Sequence, residues 1–272
     1  MIVSRVSALL GATLAAAFLA GASFAGFAAD FGYSIKDAPP PAPGRAWYLK
    51  GTIGMGNNEV GEMWNTAYSS GDFTVGHSDM KTSPFYGIGI GVEHNRWLRF
   101  DITGEYRGKY LFIGNDRYNN GGACPGSGCG SNSFTADIES WVGLANAYVD
   151  LGTWRGITPY VGGGIGIASV SVLGLEDVNV PQNGWAYGAD HTETNFAWAL
   201  YAGVSYDVTS QFTLDLGYRY LDMGDARSGT VTTYTGVEAY DAHELRDLTA
   251  HGLMLSARWR LDQPMASYMP IK

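Results

Sequence analysis

Ten charged side chains carry what chemistry the sequence can offer, and all ten recur at the period of an extended strand. Arg99, Asp101, Glu105 and Arg107 alternate with Leu98, Phe100, Ile102 and Tyr106. Asp215 and Arg219 alternate with Phe212, Leu214, Leu216, Tyr218 and Tyr220, and Arg258 and Arg260 with Leu253, Leu255, Ala257, Trp259 and Leu261. Lys50 lies opposite Trp47, Leu49, Ile53 and Met55, and Glu93 ends a run whose other face is Tyr86, Ile88, Ile90 and Val92. A period of two puts each charged set on one face of a strand and each apolar set on the other. Two readings follow: a charged face bathed in water, or a confined interior in which both signs pair. In a narrow interior pairing is obligatory, because an isolated buried ion costs several kcal/mol. Asp215 and Arg219 are about 13 Å apart along their strand, so their partners must come from neighbouring strands. Such a cluster serves either as a gate for small solutes or as a structural plug.

Other chemistry is incomplete. His243-Glu244 begins like the zinc motif H-E-x-x-H, but Asp247 stands where the second histidine is needed. No G-x-S-x-G elbow occurs. The run Gly162-Gly163-Gly164-Ile165-Gly166 lacks the Lys-Ser/Thr ending of a phosphate loop and fits crowding inside a curved sheet better. The acidic residues Glu59, Glu62, Asp72, Glu176, Asp177, Asp190 and Glu193 fall in polar segments without the spacing of a calcium loop. A net charge of −9 with no basic run excludes a nucleic-acid partner. No catalytic group, cofactor or metal site is assigned.

The elements that would hold the charges are eight strands: Trp47 to Gly56, Phe85 to Glu93, Leu98 to Arg107, Phe134 to Asp150, a fifth opening near Pro159, Phe196 to Tyr206, Phe212 to Tyr220, and Thr249 to Leu261. The fourth has an unclear phase, because Ile138, Val142 and Leu144 share parity with Asn146 and Asp150, and a bulge near its middle would resolve it. Connections alternate strictly between short turns and long polar segments, Asn57–Ser83, Gly108–Ser133, Leu173–Glu193 and Gly224–Arg246. Compact soluble domains favour connections of about 4 to 6 residues, whereas transmembrane barrels join short periplasmic turns to long outer loops. Strands of about ten residues suit a tilted bilayer crossing. Aromatics near strand ends, including Trp47, Trp97, Tyr206, Phe212 and Trp259, suit interfacial girdles.

Residues 1–28 read as a secretory signal, with Arg5 before the apolar run Ala8 to Ala20 and a small-x-small site at Gly26-Phe27-Ala28. Val6 to Ala29 is also long enough to span a bilayer, but its Ala and Gly content and cleavable end favour removal. Residues 29–45 form a stiff spacer around Ala38-Pro39-Pro40-Pro41-Ala42-Pro43, residues 46–261 the barrel, and residues 262–272 a tail. In an exported chain, Cys124 and Cys129 favour a small local disulfide.

The segments Trp47-Tyr48-Leu49-Lys50-Gly51, Leu144 to Gly152, Thr158 to Gly164, Leu216-Gly217-Tyr218-Arg219-Tyr220 and His251 to Leu261 carry a family likeness. Their order and spacing resemble the small eight-stranded outer-membrane barrels of the OmpA-like superfamily, particularly alphaproteobacterial outer-membrane and hemin-binding surface proteins. The expected fold is therefore all-β, an eight-stranded antiparallel transmembrane β-barrel with short periplasmic turns and four long extracellular loops. The resemblance implies a structural or surface role in the outer membrane, contact with its lipid and lipopolysaccharide, and insertion by the outer-membrane assembly machinery. It also implies heme or host-surface ligands at the loops, where His77, His191 and His243 fall. A narrow porin is disfavoured by the strand number. A lipid-A-modifying enzyme is disfavoured because His251 shares parity with Leu253 and Leu255, as a rim histidine would. Barrels of this kind commonly finish on an aromatic residue, whereas here Leu261 ends the last strand and Trp259 is the nearest aromatic.

Overall fold

The computed structural model describes residues 46–66, 73–119, 129–179 and 183–261. The signal, the spacer, the tail and Cys124 lie outside these residues. The strands are β1 (Ala46–Asn65), β2 (Phe73–Met80), β3 (Ser83–Glu93), β4 (Leu98–Asn119), β5 (Cys129–Gly130), β6 (Ser133–Asp150) and β7 (Ile157–Asn179), followed by β8 (Gly184–Gly188), β9 (His191–Asp207), β10 (Phe212–Asp222), β11 (Ala226–Arg227), β12 (Val231–Thr233), β13 (Glu238–Tyr240) and β14 (His243–Arg260). Eight of them close a ring in the order β1, β3, β4, β6, β7, β9, β10, β14 and back to β1, each pair antiparallel. Closure leaves the ring no free edge, which an open sheet of this size would have to protect.

Outward faces form one apolar belt. Ile88 is 77% exposed, Ile102 66%, Leu253 65%, Leu216 58% and Leu200 54%, and none packs on a second sheet. An apolar surface that encircles the whole molecule has no place in water, and its height of about ten residues per strand is that of a hydrocarbon slab. Aromatics edge it on both sides. Trp47, Trp97, Tyr206 and the pair Phe212 and Trp259 lie toward the short turns, and Tyr106 with Trp141 (4.8 Å) and Trp198 with Tyr220 (5.2 Å) lie toward the long hairpins. A lysine placed in the belt would have no counter-charge, so Ile88→Lys should cost about 2–4 kcal/mol in unfolding from lipid vesicles, while Leu111→Lys, beyond the belt near Lys109, should cost about 0–1. Equal costs at the two positions would mean that the belt does not meet hydrocarbon.

Beyond the belt the strands continue. The segments read from sequence as four polar loops hold much regular structure: β1 runs on to Asn65, β4 to Asn119 and β7 to Asn179, β14 starts at His243, and β2 and β8 pair onto β4 and β7. Polar, glycine-rich sequence hides a strand whose outer face meets water, because its outward side is no longer apolar. The fourth predicted strand, now β6, needs no bulge at its middle. Phe134, Ala136, Ile138, Ser140, Val142, Leu144, Asn146 and Tyr148 are all buried in unbroken alternation, and the register shifts lie instead near Thr135–Asp137 and opposite Arg107–Tyr110.

Candidate functional site

The interior has two layers. Toward the short turns it is ionic, and every one of the ten charged residues singled out from the sequence lies there, with Glu93 and Arg260 at the mouth. Lys50 Nζ donates to Asp101 Oδ2 at 3.1 Å and to the Tyr148 hydroxyl at 3.0 Å. Arg219 grips Glu105 with two parallel bonds of 2.7 Å, and Arg107 adds a third to the same carboxylate at 3.1 Å. Arg258 donates to both oxygens of Asp215 at 2.7 and 2.9 Å and to Glu93 at 3.1 Å. Arg260 meets Glu93 at 2.9 Å and Asp207 at 3.5 Å. Arg99 lies 3.0 Å from Asp150 and 4.0 Å from Asp215. Most partners come from different strands; the exception is Arg107, whose long side chain reaches Glu105 two positions away on β4.

Several participants do not stand out by charge. Tyr48 donates to Asp101 at 3.1 Å, Asn146 donates to Asp101 at 2.7 Å and accepts from Tyr201 at 2.9 Å, and Ser205 donates to Asp215 at 2.5 Å. The Arg99 guanidinium lies over Tyr148 and Tyr160, 4.7 and 4.6 Å from the ring centroids. Parity could have found them, since Tyr48 shares a face with Lys50, and Tyr201 with Ser205. The opposing glycines are the second signal. A Cβ on Gly91 would sit 2.3 Å from the Tyr48 ring, and one on Gly162 2.5 Å from the Tyr148 ring, so large inward side chains need bare backbone beside them.

Phe85 marks the boundary between layers. It is fully buried, with Arg219 4.6 Å and Arg107 5.2 Å from its centroid. Past it, toward the long hairpins, Met63, Met80, Phe112, Phe134, Ile138, Val172, Leu175, Leu221, Met223 and Leu245 form an apolar core. Above the belt the barrel is thus built like a water-soluble protein, greasy within and polar outside.

His243, Asp116 and Asp177 are among the titratable groups buried in this outer part. His243 stacks on Phe134 at 4.1 Å with no hydrogen-bond partner for either ring nitrogen among the described residues, and burial holds its pKa down at about 3. Asp116 and Asp177 are both pushed up to about 6 by burial, and Asp116 adds its repulsion to Asp177. His243 is therefore not a loop histidine open to a ligand, as its sequence position suggested. His77 is exposed on β2 and His191 begins β9, and no group of three or more His, Cys, Asp or Glu suited to a metal ion occurs among the described residues. His251 sits at the outer edge of the belt with Nδ1 2.5 Å from the Tyr218 hydroxyl. Asn119 pairs with Cys129 along the backbone, and the expected disulfide lies outside the described residues through Cys124.

Comparison with known proteins agrees with this architecture. An uncharacterized protein of Brucella suis is 36% identical over 206 residues, covering 67% of this chain and 70% of its own. Outer membrane protein PagN of Salmonella typhimurium is 25% identical over 187 residues, covering 65% and 75%. Among solved structures, the outer membrane protein OprG of Pseudomonas aeruginosa aligns with a TM-score of 0.49 and 10% identity over 80% of this chain and 96% of its own. Residues 68–256 match the model of the outer membrane protein beta-barrel domain, and the chain belongs to that family and resides in the outer membrane.

Proposed function

We propose that this protein is a non-enzymatic structural element of the bacterial surface: a barrel closed to solutes that anchors folded hairpins outside the cell. The observation that carries this reading is the crossing of the lumen by the Arg219–Glu105–Arg107 and Arg258–Asp215 groups, with Phe85 and the apolar core stacked above them. An eight-stranded barrel has an interior that side chains alone fill, and each charge here has an opposite charge against it. A porin needs the opposite, a wet and unpaired lumen. In planar bilayers the refolded protein should give no stable open channel. Long-lived openings with conductance in proportion to salt would refute a closed lumen.

A second reading, recognition by the outer hairpins, is favoured by one observation. Trp185 and Tyr187 on β8 stack at 6.0 Å, are 50% and 45% exposed, and lie beside Tyr234, which is 78% exposed. Large aromatics left bare above the membrane suit a host-surface or small-molecule contact. Heme is the weaker ligand, because His243 is out of reach in the core and leaves His77 and His191 alone. The secretory signal, the periplasmic spacer, the Cys124–Cys129 disulfide and recognition by the assembly machinery remain part of this proposal on the strength of the sequence.

A further inference from the structure

The outer core holds a buried carboxylate oxygen with no hydrogen-bond partner among the described residues. Asp177 on β7 is 7% exposed, and its Oδ2 accepts from the Tyr240 hydroxyl at 2.8 Å, but its Oδ1 has no hydrogen-bond partner. Asp116 on β4 is fully buried, and its oxygens accept only from Asn132, at 3.1 Å from the backbone N–H and 3.4 Å from Nδ2. Neither carboxylate is in a salt bridge among the described residues. Both point into the same space: Asp116 is level with Asn132, just before β6, Phe134 of β6 pairs with Asp177, and the two acids repel each other. Contrast the ionic layer below, where every carboxylate has a cation against it. A buried carboxylate oxygen without a donor is costly, and at Asp177 that deficit lies beside a second buried acid.

We propose that Asp116 and Asp177 form a divalent-cation site inside the extracellular end of the barrel, selective for Ca2+. The donor set is all oxygen: two carboxylates, with the Tyr240 hydroxyl 2.8 Å from Asp177 Oδ2. Hard oxygen donors without thiolate or imidazole suit Ca2+ and not zinc. The geometry allows it, since one intervening strand puts the β4 and β7 backbones about 10 Å apart, and two oxygens on one Ca2+ lie within about 5 Å of each other. Water completes the coordination, so the affinity belongs to the weak class of extracellular modules, on the order of 10⁻⁴–10⁻³ M. The ion would tie β4 to β7 above the membrane and hold the mouth rigid. Loop-spacing rules miss it because the two aspartates are sixty-one positions apart and meet only through strand pairing.

The test uses protein refolded in lipopolysaccharide-free nonionic detergent, with Ca2+ followed by calorimetry and Tb3+ by luminescence excited through tyrosine. The expected result at pH 8 is one saturable site at which Ca2+ displaces Tb3+, with a Ca2+-dependent rise in Tm that disappears at pH 5. Asp177→Asn and Asp116→Asn, each checked for heat-modifiable migration, should weaken binding by at least about tenfold, the smaller end of what losing a metal's supporting group costs. Glu238→Gln, on the exposed β13, should bind like the wild type. Binding unchanged in Asp177→Asn, or no saturable binding in the wild type, would overturn the site. The second outcome, with stabilisation by acid alone, would mean that the pair is satisfied by protons.

Discussion

Arg219→Ala will lower the unfolding free energy of the barrel by about 3–5 kcal/mol, the range for breaking a buried ion pair from one side. Glu105 is buried and receives two of its three bonds from Arg219. Alanine removes both and leaves a carboxylate that Arg107 alone must neutralise. The loss is more than the pair contributes to folding, because two buried carboxylate bonds go unreplaced and Glu105 is left with one cation in place of two. Two companion measurements separate a plug from a gate. Glu105→Gln on the Arg219→Ala background should lower the stability further, because it takes from the buried Arg107 its counter-charge and leaves it only amide oxygens such as Asn58 Oδ1 at 2.9 Å. Conductance should stay at the wild-type level, since Phe85 and the apolar core still cross the lumen. A fully stable Arg219→Ala protein with new channel activity would mean that the cluster controls passage and not folding.

The belt and the ionic layer were legible for one reason: inside the bilayer a strand has an apolar outer face and a polar inner face, so period-two alternation of Leu214, Leu216 and Tyr218 against Asp215 and Arg219 encodes both. Tyrosine blurred the pattern. Tyr48, Tyr148 and Tyr201 face inward with ring and hydroxyl both in use, and Tyr160 with its ring against Arg99, so hydropathy does not sort them. Above the belt the code reverses. Phe134 and Ile138 point inward over water-facing Thr135 and Asp137, while lower on the same strand Asn146 points inward over Ala145 and Ala147. One strand therefore carries opposite polarity codes at constant parity, which from sequence alone looks like a slipped phase. The short strands β2, β8, β11, β12 and β13 carry too little alternation to be seen before their partners are known.

The same reversal makes the outer core acid-sensitive at one residue. His243→Phe will stabilise the protein increasingly as pH falls below 6.5. The folded ring is held neutral down to about 3 by burial against Phe134, whereas an unfolded histidine takes a proton near 6.5. Below 6.5 the unfolded chain binds a proton that the folded chain refuses, so wild-type stability falls by about 1.4 kcal/mol per pH unit until the folded pKa is reached. At pH 5 the loss is about 2 kcal/mol, rising to about 4 near pH 3. Phenylalanine fits the same aromatic slot, and the backbone bond from His243 N–H to Ser228 Oγ at 3.0 Å does not need the imidazole. Asp116 and Asp177 act in the opposite sense. Their raised pKa values mean that the folded state takes protons first, so their share of stability grows as pH falls from about 6 to 4 and is lost as it rises again. Comparing His243→Phe with wild type at each pH cancels the carboxylate contribution and isolates the histidine. Urea unfolding in detergent from pH 8 to pH 4 should give a difference that is flat above pH 7 and climbs steadily below 6.5. A difference independent of pH would show that the imidazole titrates freely in the folded barrel, and that the outer interior is open to water.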